Sequence, residues 1–193
     1  MRNEVLFAGL GGQGIIKAAL LLAQAAGLYE NREVAQTQSY GPEARGGACK
    51  SEVVISDGEI DYIKTRRLNA LVVMSQPALD KYRRQVSPET TIVIYDPTLI
   101  GKLPPEFKLA VAVPATAIAE QEFGQALFAN IIMLGALSGA TGLVALDSLE
   151  KTLPGNVPPR TLKSNQAALR RGYEAAQAAA REAPGLRAQA PPV

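Results

Sequence analysis

Two glycine-bearing stretches hold the residue types best suited to chemistry. "GLGGQG", Gly9 to Gly14, has the spacing G-x-G-x-x-G. Glycines so placed let backbone approach a phosphate closely, and the helix that follows turns its free N–H groups toward it. "QTQSYGPEARGG", residues 36 to 47, sets the cation Arg45 beside Gly46 and Gly47, with a Gly41-Pro42 turn ahead of it. A guanidinium there can grip a phosphate or carboxylate through two parallel hydrogen bonds. Each stretch has a plainer reading. The first can be a tight strand-to-helix turn that holds nothing. The second can be a solvated turn in which Arg45 pairs with Glu43. Tyr40 is either a core aromatic or a stacking face. Cys49 reads as a small buried hydrophobe. Asn130, inside the apolar run "FANIIMLGAL", reads as a hydrogen bond to a neighbouring turn. The basic cluster "KTRR", Lys64 to Arg67, is either a solvated loop or a holder for an anionic tail or an acidic partner.

Absent residue types narrow the chemistry further. The chain has no histidine and one cysteine. Zinc sites of the His/Cys kind, four-cysteine iron–sulfur sites and His-dependent nucleophilic catalysis are therefore beyond this chain alone. So is an intrachain disulfide. Redox or acyl chemistry must come from a bound cofactor or another polypeptide. A nicotinamide site would want an acidic residue about 20 positions past the glycine turn, at the end of the second strand. That strand ends "AQTQ", with Glu30 and Glu33 before or at its start. A stand-alone nicotinamide enzyme stays a formal alternative on the glycine motif, as does a nucleotide- or CoA-binding module.

The elements that must position these stretches alternate. A strand over Glu4–Gly9 leads through the glycine turn into a helix from about Gln13 to Ala26, with Gly27 as its stop. A second strand covers Arg32–Gln38. "KSEVVISDGEIDY" reads as two short strands around an Asp57-Gly58 hairpin turn. Strands follow at Asn69–Ser75, Thr91–Asp96 and Lys108–Pro114. Ser75 is placed to cap a helix near Pro77. Helices are predicted over Ala115–Phe123, Gln125–Ser138 (stopped by Gly139 or Gly142), from Asp147, and over Ser164–Glu182. The class is α/β: one three-layer α/β/α domain with a mixed, mostly parallel sheet and a Rossmann-like first β-loop-α unit. The domain spans residues 1–183, and 184–193 form a flexible tail. At 193 residues, 47% hydrophobic and net charge +2, the chain can bury a core and has no basic bias for nucleic acid or membrane. No apolar run reaches the ~18 residues of a membrane span, so a cytoplasmic location is expected.

"GLGGQGI", "QSYGPEARGGACKSEVVIS" and "FANIIMLGAL", in this order and spacing, resemble the gamma subunit of 2-oxoacid:ferredoxin oxidoreductases. The run "ACKSEVVISDGEIDY" is most similar to the 2-oxoglutarate branch. Pyruvate, 2-oxoisovalerate and indolepyruvate enzymes use similar domains and are the alternatives. The resemblance implies oxidative decarboxylation of the 2-oxoacid to an acyl-CoA (succinyl-CoA for 2-oxoglutarate), CO2 and reduced ferredoxin. It implies thiamine diphosphate, Mg2+ and [4Fe–4S] clusters on partner alpha, beta and ferredoxin-like delta subunits, with CoA as co-substrate. This chain would be a subunit that is not catalytic alone. Carried onto this sequence, Gly11, Gly12, Gln13 and Gly14 become a phosphate-facing turn. Tyr40, Gly41, Pro42, Arg45, Gly46 and Gly47 become a loop facing CoA or the active-site subunits.

Overall fold

The computed structural model describes residues 1–39 and 47–182. Its strands are β1 (Arg2–Leu10), β2 (Glu33–Ser39), β3 (Ala48–Ser56), β4 (Ala70–Val73), β5 (Ile92–Tyr95) and β6 (Ala110–Ala112). They form one sheet in the order β2-β3-β1-β4-β5-β6. The ladders from β1 through β4 and β5 to β6 are parallel. β3 runs antiparallel to both β1 and β2. The helices are α1 (Ile15–Gln24), α2 (Gln76–Tyr82), α3 (Ala115–Phe123), α4 (Ala129–Thr141), α5 (Leu146–Thr152) and α6 (Leu162–Glu182). The mixed, mostly parallel α/β architecture expected from the sequence is present.

Each buried strand alternates its side chains between two unequal layers. Val5, Phe7, Val53, Ile55, Val72 and Ile94 face a thick layer that includes residues of α1, α3, α4, α5 and α6. Leu6, Ala8, Leu71, Val73 and Val93 face a thin one, where α2 supplies Ala78, Leu79 and Tyr82. Connecting segments complete that side with Val86, Ile100 and Phe107. Strands buried on both faces need apolar residues at every position, which is why β4 reads as an unbroken "ALVV".

α4 lies between the sheet and α6, and Ala129 to Ser138 are all buried. A helix apolar all round belongs in such a place. α4 and α6 approach until their backbones touch. A Cβ added at Gly135 would lie 1.9 Å from the Leu169 carbonyl oxygen, and one at Gly172 1.8 Å from that of Ile132. Of the two glycines proposed to stop α4, Gly142 does so, in the left-handed region at φ 63°. Gly139 lies within the helix, against the Tyr173 backbone. Gly27 does not end the first helix either, because the chain continues through a π turn over Ala25–Tyr29.

The Asp57-Gly58 hairpin is a correction. β3 is one nine-residue strand that ends at Ser56, and residues 57–69 form no strand. The antiparallel partners of β3 are β1 and β2. The Asp57 carboxylate is drawn instead to the amino terminus at 2.8 Å and to Arg32 at 3.2 Å. Beyond it the chain leaves the sheet and is held by side chains of β1 and β3. Arg2 Nη2 donates to the carbonyls of Tyr62 (2.8 Å) and Lys64 (3.1 Å). The buried Glu4 carboxylate accepts the backbone N–H groups of Arg66 and Arg67. Glu52 accepts from Thr65 Oγ1 at 2.5 Å and pairs with Lys50 at 3.0 Å.

Burial alone would raise the Glu52 pKa, but hydrogen bonds from Thr65 and Lys50 and the Lys50 charge outweigh it and hold the carboxyl below the usual glutamate range. Its contribution to stability is therefore complete above the unfolded-state pKa of about 4.3 and is lost as pH falls through the lower folded value. Denaturant titrations between pH 7 and pH 3 should show a smaller acid-induced loss of stability in Glu52→Gln than in the parent chain.

The lower edge of the sheet, where β1, β4 and β5 begin, also receives the end of α6. Asn69, Thr90, Tyr173, Gln177 and Arg181 line a cavity of about 430 Å³ there.

Candidate functional site

The upper edge of the sheet gathers both glycine stretches. β1 ends at Leu10, and the chain reverses through Gly11 to Gly14 into α1. Gly12 at φ 97° and Gly14 at φ 73° occupy the left-handed region that glycine enters at least cost. Gly14 has a second constraint, since a Cβ there would come within 2.3 Å of Asn130 Nδ2. Asn130 donates to the Gly14 carbonyl at 3.3 Å, the structural role expected for it.

The Gln13 side chain is turned inward. Its Oε1 accepts the Leu10 N–H at 2.7 Å and its Nε2 donates to the Met74 carbonyl at 2.8 Å. It thus ties the end of β1 to the end of β4. α1 lies on one face of the sheet and α2 on the other, so this is the topological switch point where open α/β sheets bind ligands. The turn presents the backbone of Gly11 and Gly12 outward, both exposed. Gly14 caps α1 with no side-chain bond to the helix, so the first-turn N–H groups have no side-chain cap.

Tyr40, Gly41, Pro42, Arg45 and Gly46 lie outside the described residues, as does Glu43. So does the 184–193 tail. The strands on either side still fix where the loop departs and returns. β2 ends at Ser39, paired with Lys50, and the Gly47 carbonyl accepts the Gly11 N–H at 3.4 Å. The described ends of the second stretch therefore lie at the same edge of the sheet as the glycine turn, and Gly47 meets that turn directly. The sheet order also explains the missing acidic residue of a nicotinamide site. β3 lies between β1 and β2, so the end of β2 does not sit beside the glycine turn as the second strand of a dinucleotide fold does.

Around Asn130, residues that sequence reading did not single out lie next to this corner. Lys17, Phe128, Asn130, Ile131, Val157 and Arg160 line a cavity of about 460 Å³. The first turns of α1, α4 and α6 contribute to it. The Lys17 and Arg160 side chains make no ion pair with any described residue. No sequence signal joins these two cations, because they lie on elements far apart in the chain. The arrangement can bind an anion with an apolar body. Among the described residues, no group of three His, Cys, Asp or Glu could hold a metal ion.

Cys49 is 5% exposed on β3, and burial pushes its thiol pKa up. A thiol so placed is unreactive. An aromatic disulfide reagent at pH 8 should leave the native chain unlabelled and modify one thiol per chain in denaturant. Rapid labelling of the native chain would contradict this placement.

The comparisons with known proteins agree with one another. The family model for pyruvate ferredoxin/flavodoxin oxidoreductase matches residues 4–175. The 2-oxoglutarate synthase subunit KorC of Methanocaldococcus jannaschii is 46% identical over 179 residues, covering 92% of this chain and 95% of that one. KorC of Methanothermobacter marburgensis is 43% identical over 180 residues, 90% of this chain and 96% of its own. Among solved structures, the keto/oxoacid ferredoxin oxidoreductase gamma subunit from Geobacter sulfurreducens superposes with a TM-score of 0.84 at 38% identity. That match covers 93% of this chain and 98% of the other.

Proposed function

The chain belongs to the pyruvate ferredoxin/flavodoxin oxidoreductase family, and from this premise we propose that it is the gamma subunit of a 2-oxoglutarate:ferredoxin oxidoreductase. The observation that carries the reading is the near-full-length identity with two subunits named for 2-oxoglutarate synthase. In the reaction, the C1–C2 bond of 2-oxoglutarate breaks and C1 leaves as CO2. The succinyl carbonyl carbon joins the sulfur of CoA, the thiol proton is released, and the electron pair passes to ferredoxin. When bound, thiamine diphosphate with Mg2+ supplies carbanion stabilisation, and [4Fe–4S] clusters carry the electrons. The residues of this chain do not fit these groups. Its one cysteine is buried and cannot hold a cluster, and the sequence has no "GDG…NN" motif to hold the thiamine diphosphate and its Mg2+. The cofactors belong on the alpha, beta and ferredoxin-like delta subunits of a cytoplasmic complex.

This chain's part is to bind and orient. The exposed Gly12 backbone and the α1 N-terminus suit a phosphate of CoA. Arg45, two residues before the Gly47 whose carbonyl bonds the Gly11 N–H, is the cation assigned to that phosphate. Two measurements test the proposal. The tagged chain, recovered from its own host, should bring down thiamine- and cluster-binding chains that reduce ferredoxin only with 2-oxoglutarate and CoA. Recovery as a stable monomer with no partner overturns it. In the assembled complex, Arg45→Ala should leave the fold intact and either raise KM for CoA or weaken assembly. Normal values of both remove Arg45 from the site.

A further inference from the structure

The segment 57–68 has no part in the glycine corner and lies at the opposite edge of the sheet. Two features stand out. First, it is anchored from beneath by acids on two strands. Glu4, only 4% exposed, accepts from the backbones of Arg66 and Arg67, and Glu52, 7% exposed, accepts from Thr65. Arg2 grips the carbonyls of Tyr62 and Lys64. Burying two carboxylates is costly unless they are well bonded, and here their bonds order a surface segment. Second, the anchors leave the cationic side chains uncommitted. Lys64, Arg66 and Arg67 form no ion pair with any described residue, including the exposed Glu59 and Asp61 of the same segment.

Arg66 stacks on the Tyr62 ring at 4.1 Å, which holds the guanidinium in one place. Tyr62 is 38% and Ile63 52% exposed beside it. The cations Arg2, Arg66 and Arg67 outnumber the acids Glu4 and Asp61 around a cavity of about 580 Å³ that Tyr62 also lines, and Glu4 is already bonded to the segment's backbone. Exposed tyrosine and isoleucine among ordered arginines is the composition of a protein-binding hot spot rather than of a solvated turn.

The geometry points to residues 62–67 as a docking surface for an acidic segment of another protein chain, whose carboxylates pair with Lys64, Arg66 and Arg67 while its apolar residues cover Tyr62 and Ile63. The inference rests on the reading of this chain as a subunit and adds which face is gripped and by what chemistry. A polypeptide is favoured over a nucleic acid because the apolar pair sits among the cations and the chain's net charge is only +2.

The test uses the assembled complex, with the affinity handle placed after Val193. A zero-length carbodiimide should couple the Lys64 amine to an Asp or Glu of a partner chain, read by mass spectrometry. R66E/R67E should weaken partner recovery about tenfold near physiological salt, with a smaller loss at low pH, where the partner's carboxylates are neutral. Because Glu4 bonds the backbone at these positions, thermal melts of the variant should match the parent. A complex that assembles normally in R66E/R67E, with Lys64 coupled to no partner, overturns the inference and leaves the subunit reading intact. Partner recovery abolished by nuclease in the parent complex overturns it in favour of a nucleic acid. A parent chain that recovers no partner overturns both.

Discussion

Gly135→Ala is expected to destabilise the fold by about 3 kcal/mol or more and to lower the melting temperature by roughly 10 °C. The added methyl would meet the Leu169 carbonyl oxygen at 1.9 Å. The obstacle is backbone, so no rotamer change relieves it, and α4 and α6 must separate along their contact. α4 sits directly on the sheet, and such a shift strips packing from both of its sides. Gly172→Ala meets the Ile132 carbonyl at 1.8 Å and should behave alike. Both act on one interface, so their effects should not add. Gly58 and Gly142 provide controls. Neither would place a Cβ within 4 Å of another atom, but Gly142 has φ +63°. Gly58→Ala should fall within about 0.5 kcal/mol of the parent, and Gly142→Ala should lose about 1 kcal/mol for its backbone conformation. Thermal melts of the four variants check the order. If Gly135→Ala melts with Gly58→Ala, the close helix contact is not formed.

Asp96→Ala should cost roughly 3–4 kcal/mol, read as a lower urea midpoint at unchanged slope. Asp96 follows β5, is fully buried, and accepts from three groups. These are the Thr98 N–H at 2.9 Å, the Thr116 N–H at 2.7 Å and the Thr116 hydroxyl at 2.6 Å. Pro114, the residue that caps α3, has no side chain to offer its first turn. Asp96 supplies that cap from a neighbouring strand. Alanine leaves three donors without acceptors. Asp96→Asn, which turns one acceptor into a donor, should cost about half as much. Thr116→Val, which removes only the hydroxyl, should cost about 1 kcal/mol. An Asp96→Asn chain as stable as the parent would show that the carboxylate's second oxygen is not used.

Local chemistry that sequence can carry was read correctly. Ser75 accepts from the Ala78 N–H and caps α2, the glycine turn joins strand to helix, and Gly142 closes α4. Errors arose where a neighbour in space decides the outcome. Asp57-Gly58 has the residues of a hairpin turn, but the strand before it already has partners on both sides in β1 and β2. Gly135 and Gly139 look like weak points in a helix, and only the approach of α6 shows why a side chain is excluded. The short helix expected from Asp147 is present as α5, which begins one residue earlier at Leu146. Ala145 holds the capping position of α5, and Asp147 pairs with Lys151 one turn on. At the candidate site, the two glycine stretches were legible because each is contiguous. Lys17 and Arg160 were not, since folding alone brings them to one cavity. The inward turn of Gln13 was hidden too, because an amide in a glycine motif looks the same in sequence whether it faces a ligand or the Met74 carbonyl.

The first strand and the last helix open onto the edge of the sheet opposite the glycine turn, so the described chain has two poles. A fusion joined before Met1 would displace the ammonium that bonds Asp57 and crowd the basic segment. A fusion joined beyond residue 182 would leave near the Tyr173 cavity. Neither reaches Gly12. Tags at the two ends are thus unequal instruments: an amino-terminal one removes the ammonium that Asp57 bonds, and one after Val193 removes no described contact.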